Sequence, residues 1–266
     1  MHEIADIACN FTSDRFDSDL NEVINRAMSN KISNFGLICS QLDDLDKLLD
    51  IYHKYSRNMF YTIGVHPHHA NQINDEYLKK LKEAININRP HAIGETGLDF
   101  FRNLSSYEEQ IFAFEEQIKI AIDLNKPLFL HQRDSHEDFI KILRKYADDI
   151  NKAVVHCFTG TQAQLDDYLE LDFYVGITGW ICDKKRNVEL RKTIKNIPLS
   201  KLMVETDCPY LIPKDLPNKS KNNRNEPSNL NHIVSEIAML IEVDEHILRK
   251  KSFENTVNFF NVKTLL

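Results

Sequence analysis

The chain has 266 residues, of which 42% are apolar and 27% charged, and it contains only 7 Gly and 8 Pro. This composition is typical of a compact globular protein and excludes a disordered, collagen-like or low-complexity chain. Acidic side chains outnumber basic ones, which gives a net charge of −7. A broad basic surface for duplex DNA is therefore not expected, and a nucleic-acid substrate would need a local basic patch or metal ions.

The predicted elements alternate between short apolar segments and longer segments of helical period, at intervals of roughly 30 residues, the size of one βα unit. Strands are predicted at 3–8, 32–39, 60–65, 91–95, 128–131, 153–156, 173–177 and 202–205. Helices are predicted at 20–29, 42–55, 75–87, 107–124, 135–147, 162–169 and 188–197, and two further helices at 230–241 and 245–260. Eight such units favour a (β/α)₈ TIM barrel with extra C-terminal helices, forming one domain over residues 1–266, over a doubly wound sheet.

The cysteines and the distribution of apolar residues indicate the cellular compartment of the protein. The five cysteines are widely spaced and include no Cys-x-x-Cys pair, which argues against a disulfide framework or a thiolate zinc site and indicates a reducing compartment. The first residues lack the pattern of a secretory signal, and no stretch approaches the ~18 apolar residues of a membrane span. We therefore expect a cytoplasmic protein with no membrane partner, and we expect a monomer.

Polar side chains lie at the carboxyl ends of five of the predicted strands, or just after them: His66, Glu95, His131, His156 and Asp207. The carboxyl ends of barrel strands meet at one face, where the active sites of this architecture lie. A single histidine at a strand end is more often a hydrogen-bonding residue than a ligand, but a set of five points to a site. Nitrogen and oxygen donors predict a catalytic divalent cation, with Mg²⁺, Mn²⁺ and Zn²⁺ as candidates.

The last predicted strand and the loop after it add two expectations. Glu205 and Asp207 share a face, so Glu205 lies one layer deeper if Asp207 faces the mouth of the barrel. A buried carboxylate must be paired, and Glu205 is expected either to orient a ligand or a basic side chain, or to form a structural ion pair. Loop 212–228, rich in Pro, Asn and Lys, is expected to overhang the site.

Two arginines and three aromatic residues are candidates for substrate contacts. Arg133 follows His131 on the same strand face and Arg224 lies in the loop, and each could bind a phosphate bidentately, with surface ion pairing as the alternative. Phe101, Trp180 and Tyr210 lie in predicted mouth loops, where they could stack on bases or pack in the core.

Seven motifs follow one another along the chain: GVHPH, GETGLDF, HQRD, HCFTG, GITGW, ETDCPYL and RNEP. In order and spacing they resemble the TatD family of metal-dependent deoxyribonucleases over essentially the whole chain. The resemblance implies a (β/α)₈ barrel related to the amidohydrolases. It also implies an exonuclease that uses one or two Mg²⁺ or Mn²⁺ ions and degrades single-stranded DNA from 3′ to 5′.

The resemblance assigns roles to individual residues. Glu95 is similar to the metal-bridging carboxylate of the family, and His131 and His156 to ligands of one metal ion. Asp207 is similar to the ligand that also takes the proton from the attacking water. His66 and His68 are similar to the pair that contacts substrate or phosphate. Asn225, next to Arg224 in the loop, is a further candidate for a substrate contact.

The first strand departs from the family pattern. Many members carry a His-x-His pair there as ligands of a second metal, and this chain has Ala8 and Asn10 at those positions. Alanine cannot bind a metal, and the amide oxygen of Asn10 is a weak ligand compared with imidazole. The second metal site is therefore expected to bind its ion weakly, to be filled only when substrate is bound, or to be absent. Asn10 is expected to contact the metal ligands rather than to bind a metal ion itself.

Two other functions remain open from the sequence. One is hydrolysis of a small molecule by an amidohydrolase-type enzyme, since fold alone does not fix function. The other is a binding module with impaired catalysis, suggested by the missing ligands on the first strand. RNA also remains open as a substrate, because no residue is identified that would read a 2′-hydroxyl.

Overall fold

The computed structural model describes residues 3–217 and 223–262 and contains one sheet of eight parallel strands. The strands are β1 Ile4–Cys9, β2 Ile32–Leu37, β3 Met59–Ile63, β4 Ala92–Asp99, β5 Leu128–Arg133, β6 Ala153–Val155, β7 Tyr174–Ile177 and β8 Leu202–Val204. Each strand pairs with the next along the chain. This order confirms the predicted barrel, because a doubly wound sheet reverses its strand order.

Nine α-helices lie in the same described ranges: α1 Leu20–Ser29, α2 Leu45–Tyr55, α3 Asp75–Asn88, α4 Tyr107–Asp123, α5 His136–Lys145, α6 Gln162–Glu170, α7 Val188–Thr193, α8 Leu230–Ile241 and α9 Glu245–Phe260. The first seven connect successive strands, and each crossover brings the chain back parallel to the previous strand. None of the helices in this part of the chain is long and apolar enough to cross a membrane.

The two helices after β8 begin and end where the sequence predicts them. At the end of α9, Phe259 and Phe260 are buried against residues near the amino ends of the strands, including Phe60 and Phe129. The rings of Phe60 and Phe260 have centroids 4.2 Å apart. This packing covers the amino end of the barrel, so the site opens at the carboxyl end.

The largest difference from the predicted elements is in β4. The predicted strand ends at Glu95, but β4 continues to Asp99 and pairs with β5 as far as Arg133. Gly97 makes this pairing possible, because a Cβ on it would lie 1.9 Å from the carbonyl oxygen of His131, and its φ is +145°. Glycine tolerates both the close approach and the positive φ, and it also interrupts the apolar pattern that a sequence-based strand prediction uses.

The barrel closes between β1 and β8 through side chains more than through backbone pairing. Cys9 and Cys208 form one isolated bridge. Asp6 is fully buried, and its Oδ1 accepts hydrogen bonds from the backbone N–H groups of Ala8, at 3.3 Å, and Thr206, at 2.9 Å. The hydroxyl of Thr206 donates to the other oxygen of Asp6. The junction between β1 and β8, which lies beside Asp207, is therefore stabilised by a carboxyl group that is shielded from water.

Replacing Asp6 with Asn is expected to raise stability above neutral pH. Burial raises the pKa of Asp6 to about 7, even though the hydrogen bonds from Thr206 act in the opposite direction. The folded protein then keeps a proton that the unfolded chain releases, so wild-type stability falls as pH rises from about 4 to about 7. The amide of Asn carries no charge and mimics the protonated acid.

The measurement is the free energy of unfolding in urea for wild type and Asp6→Asn, from about pH 5 to about pH 8. Over this range the difference in unfolding free energy is expected to shift in favour of the variant by about 2–3 kcal/mol, because only the two pH units between pH 5 and the folded pKa of about 7 contribute, at about 1.4 kcal/mol each. A difference that stays constant with pH would show that Asp6 is ionised in the folded protein.

Candidate active site

A cavity of about 1290 Å³ opens at the carboxyl ends of the strands. The five side chains singled out at the strand ends all line it: His66, Glu95, His131, His156 and Asp207. They lie on or directly after five different strands, which is how this architecture assembles a site from distant parts of the chain.

Glu95 lies at the centre of this group and is 6% exposed. Its Oε1 is 3.0 Å from Nδ1 of His131 and 2.7 Å from Nε2 of His156. Nε2 of His66 is 3.4 Å from the same oxygen. Burial acts to raise the pKa of Glu95, but the neighbouring His156 and His66 hold that pKa well below its usual range. Glu95 is therefore a carboxylate, able to bind a cation.

The three central donor atoms fit one divalent cation. Besides the two distances to Glu95, Nδ1 of His131 is 3.4 Å from Nε2 of His156. Ligand atoms ~2.0–2.2 Å from a common ion lie about 3 Å apart in octahedral geometry and about 3.4 Å apart in tetrahedral geometry. Glu95, His131 and His156 could therefore hold such an ion with only small movements. Their nitrogen and oxygen donors suit Mg²⁺, Mn²⁺ or Zn²⁺.

Glu205 lies behind His156 and is fully buried. Its Oε2 is 3.5 Å from Nδ1 of His156, and its Oε1 accepts a hydrogen bond from the backbone N–H of Cys157. Burial lowers the pKa of His156, but the charges of Glu95 and Glu205 outweigh burial and raise it well above the usual value. The structure thus places Glu205 where a carboxylate would orient a histidine ligand, rather than against an arginine or a lysine.

Asp207 is linked to the first strand by Asn10. The amide Nδ2 of Asn10 donates to Oδ1 of Asp207 at 2.9 Å and to the carbonyl of Cys208 at 3.2 Å. Burial raises the pKa of Asp207 to about 7, while His156 and the hydrogen bond from Asn10 oppose that rise. Asn10 therefore contacts the site through its NH₂ group, and Ala8 is fully buried and offers no donor.

Sequence reasoning missed Asp99. Its Oδ2 is 2.8 Å from Nε2 of His68 and 3.3 Å from Nε2 of His131, and the side chain is 1% exposed. The sequence did hold a signal for Asp99, because Glu95, Gly97 and Asp99 are spaced two residues apart and therefore share one face of a strand. It could be used only once β4 was known to continue past Glu95.

Among the predicted substrate contacts, His66, His68 and Arg133 line the cavity. Nδ1 of His66 accepts a hydrogen bond from the backbone N–H of His68 at 3.0 Å. A neutral His66 therefore carries its proton on Nε2 and is a donor toward the cavity. The guanidinium of Arg133 lies 3.8 Å from the ring centroid of Phe101, at the exposed rim.

Arg224 and Asn225 are not placed at the cavity, and the expectation that they contact substrate phosphate needs correction. Arg224 is 5% exposed, and its guanidinium is bound by both carboxylate oxygens of Asp19, at 2.7 and 2.6 Å, and by Glu226 at 2.7 Å. Asn225 is fully buried and donates to the carbonyl of Thr206 at 2.9 Å. Both residues anchor the chain after β8, so the ion-pair alternative describes Arg224.

The overhang expected of loop 212–228 is also not found in its described parts. Tyr210 and Leu211 line the cavity, but the described residues after them, 212–217 and 223–228, do not. Asp215 instead pairs with His232 of α8 at 2.7 Å. Residues 218–222 lie outside the described residues.

Comparisons with known proteins identify relatives of this chain. Residues 5–261 match the family model described as TatD related DNase. A 3'-5' ssDNA/RNA exonuclease TatD from Yersinia pseudotuberculosis is 40% identical over 257 residues, which is 97% of this chain and 99% of the relative. A protein of the same name from Cronobacter sakazakii is 40% identical over 255 residues, with 96% and 97% covered.

A solved structure of a TatD family protein has the same fold. A TatD family hydrolase from Entamoeba histolytica is 28% identical and matches this fold with a TM-score of 0.88, covering 98% of this chain and 99% of that one. The family model and the curated relatives span nearly the whole length, and they confirm the family that the motifs resemble. The chain belongs to the TatD related DNase family.

Proposed function

We propose that this protein is a metal-dependent exonuclease that hydrolyses the phosphodiester bonds of single-stranded DNA from the 3′ end. The observation that carries the proposal is the convergence of Glu95, His131 and His156 within 3.4 Å of one another in an open cavity that Asp207 also lines. The family membership supports a nuclease, and the names of the relatives extend the substrate class to single-stranded RNA.

Glu95, His131, His156 and Asp207 would hold a divalent cation, for which we propose Mg²⁺ or Mn²⁺, with Zn²⁺ as a further candidate. When bound, such an ion makes its water more acidic and offsets charge on the phosphate oxygens. We propose one or two ions per chain. Because Ala8 provides no ligand and Asn10 is bound to Asp207, the first strand would contribute little to a second ion.

The residues around these ligands have distinct tasks in the proposed reaction. Asp207 accepts the proton of the attacking water, and Asn10 fixes the orientation of that carboxyl group through its NH₂ group. His66 donates a hydrogen bond from its Nε2–H group to a phosphate oxygen, because its Nδ1 already accepts a hydrogen bond from the backbone N–H of His68. The carboxylate of Glu205 orients the ring of His156 through its Nδ1 atom.

A single strand suits the mouth of the cavity better than a duplex. Phe101 is 57% exposed and Tyr210 is 53% exposed, and Trp180 also lines the opening. Exposed rings can stack on unpaired bases, at ~1–3 kcal/mol per base, whereas bases in a duplex are already stacked. Three arginines, Arg102, Arg133 and Arg186, line the same opening together with seven carboxylates, so bound cations would have to offset the charge of a polynucleotide there.

We further propose that the protein acts in the cytoplasm as a monomer consisting of one domain. The five cysteines support a reducing compartment, because they are odd in number and widely spaced and include no Cys-x-x-Cys pair.

Replacing Arg133 with Gln is expected to raise KM for single-stranded DNA by roughly 10-fold, with a smaller change in kcat, because an exposed rim contact to phosphate contributes mainly to binding. The slope of log KM against log salt concentration should fall by about 1. Arg57→Gln is the matched control, since it removes the same charge from an exposed position that does not line the cavity. An equal effect of the two substitutions would rule out a specific role for Arg133.

The proposed function is tested with an oligonucleotide labelled at either end, incubated with Mg²⁺ or Mn²⁺. A 5′ label should remain on a ladder of progressively shorter fragments, whereas a 3′ label should leave in the first cleavage. Duplex DNA should be degraded more slowly, and RNA of the same sequence tests the wider substrate class. Failure to cleave any of these substrates with either metal would contradict the proposal, and a reaction with EDTA controls for metal-independent contaminants.

A further inference from the structure

The side chain of Asp99 is held in one orientation from two sides. Its Oδ1 accepts hydrogen bonds from the backbone N–H groups of Phe101, at 3.0 Å, and Arg102, at 2.8 Å. The buried side chain of Gln110 binds both the backbone N–H of Asp99, at 2.8 Å, and its carbonyl, at 3.2 Å. Each carboxylate oxygen therefore has a fixed set of neighbours.

The second oxygen of Asp99 faces two histidines at once. Oδ2 is 2.8 Å from Nε2 of His68 and 3.3 Å from Nε2 of His131. An ionised carboxylate can only accept hydrogen bonds, so each ring must present a proton on Nε2 to this oxygen. A neutral His131 then has its lone pair on Nδ1, and Nδ1 is the atom that lies 3.0 Å from Oε1 of Glu95.

We infer that Asp99 is a positioning residue that fixes the Nε2-protonated tautomer of His131 and so presents its Nδ1 as the metal ligand. The inference rests on the proposed function in one respect, namely that His131 binds a divalent cation. A carboxylate behind a histidine ligand orients the ring and sets its tautomer. The same oxygen holds His68, so one carboxylate fixes both a ligand and a substrate contact.

Replacing Asp99 with Asn should reverse this preference while keeping the size of the side chain. The amide oxygen of Asn would stay with the two backbone N–H groups, because only an acceptor satisfies them. Its NH₂ group would then take the place of Oδ2 and donate to Nε2 of His131. The proton of His131 would move to Nδ1, where it faces Glu95 and opposes a cation.

The experiment is ¹⁵N NMR of the histidine rings in the zinc-loaded protein, with Zn²⁺ as the diamagnetic probe and His131 assigned by its loss in His131→Gln. In wild type we expect zinc on Nδ1 of His131 and a proton on Nε2. In Asp99→Asn we expect the zinc dissociation constant to rise about 10–100-fold. Asp148→Asn, which removes the same charge from an exposed position, should match wild type.

Each outcome decides a different question. Zinc on Nε2 of His131 in wild type overturns the inference and leaves the proposed nuclease standing, and this measurement does not depend on whether the variant folds. Unchanged zinc affinity and an unchanged His131 spectrum in Asp99→Asn also overturn the inference. No zinc bound at His131 overturns both the inference and the proposed metal site.

Discussion

Replacing Glu95 with Gln is expected to lower kcat/KM on single-stranded DNA by about 10⁴-fold or more. Oε1 of Glu95 contacts both His131 and His156, at 3.0 and 2.7 Å. Gln is a neutral and weaker ligand for a hard cation, so the substitution removes the centre of the donor set. A divalent cation contributes several kcal/mol to phosphodiester hydrolysis, and each ~1.4 kcal/mol is tenfold in rate.

Steady-state kinetics with Mn²⁺ over a range of metal concentrations tests this prediction. Glu83→Gln, at an exposed position on α3, is the matched control and should behave as wild type. Activity of Glu95→Gln within tenfold of wild type at limiting as well as at saturating metal would mean that Glu95 is not part of the metal site.

Replacing Asp207 with Asn is expected to lower kcat by about 10³-fold, because general bases typically contribute 10²–10⁴-fold and Asn cannot accept the proton. The loss should persist when metal is saturating, which distinguishes a missing base from a weakened ligand. Asn10→Ala removes the hydrogen bonds to Asp207 and to the carbonyl of Cys208, and it should cost much less, since the base itself remains.

The pH profile gives a second signature of Asp207. Burial raises the pKa of Asp207 to about 7 in the metal-free protein, and a bound cation would lower it. The base must be deprotonated to act, so wild-type activity should rise with pH through an acidic limb with an apparent pKa below about 7. The limb should be absent from the residual activity of Asp207→Asn. An unchanged limb in that variant would assign the base to another group.

The sequence was sufficient to predict the barrel because its eight strands follow a simple rule. Each buried parallel strand is a short apolar run, and each helix between strands has an apolar stripe of helical period. The prediction failed at β4, where Gly94 and Gly97 replace apolar residues while the strand continues to Asp99. The backbone of the neighbouring strand β5 lies so close to Gly94 and Gly97 that a Cβ at either position would clash with it. A prediction from the local sequence pattern does not detect such a contact between strands.

Parts of the site were predictable for a different reason. The carboxyl ends of parallel strands meet at one face, so Glu95, His131 and His156 could be expected to lie together. Arg224 could not be placed in the same way, because it lies in a long connection without periodic structure. Its partner Asp19 lies 205 residues away in the chain, and a pairing at such a distance in sequence leaves no local signal.

A metal titration tests the central claim most directly. Protein stripped with EDTA is titrated with Mn²⁺ while bound ions per chain and nuclease activity are measured in the same samples, alongside Glu95→Gln. We expect the stripped protein to be inactive, activity to rise together with one or two bound ions, and Glu95→Gln to lose both. Full activity in the stripped protein, or equal Mn²⁺ binding by Glu95→Gln, would contradict a metal-dependent nuclease centred on Glu95.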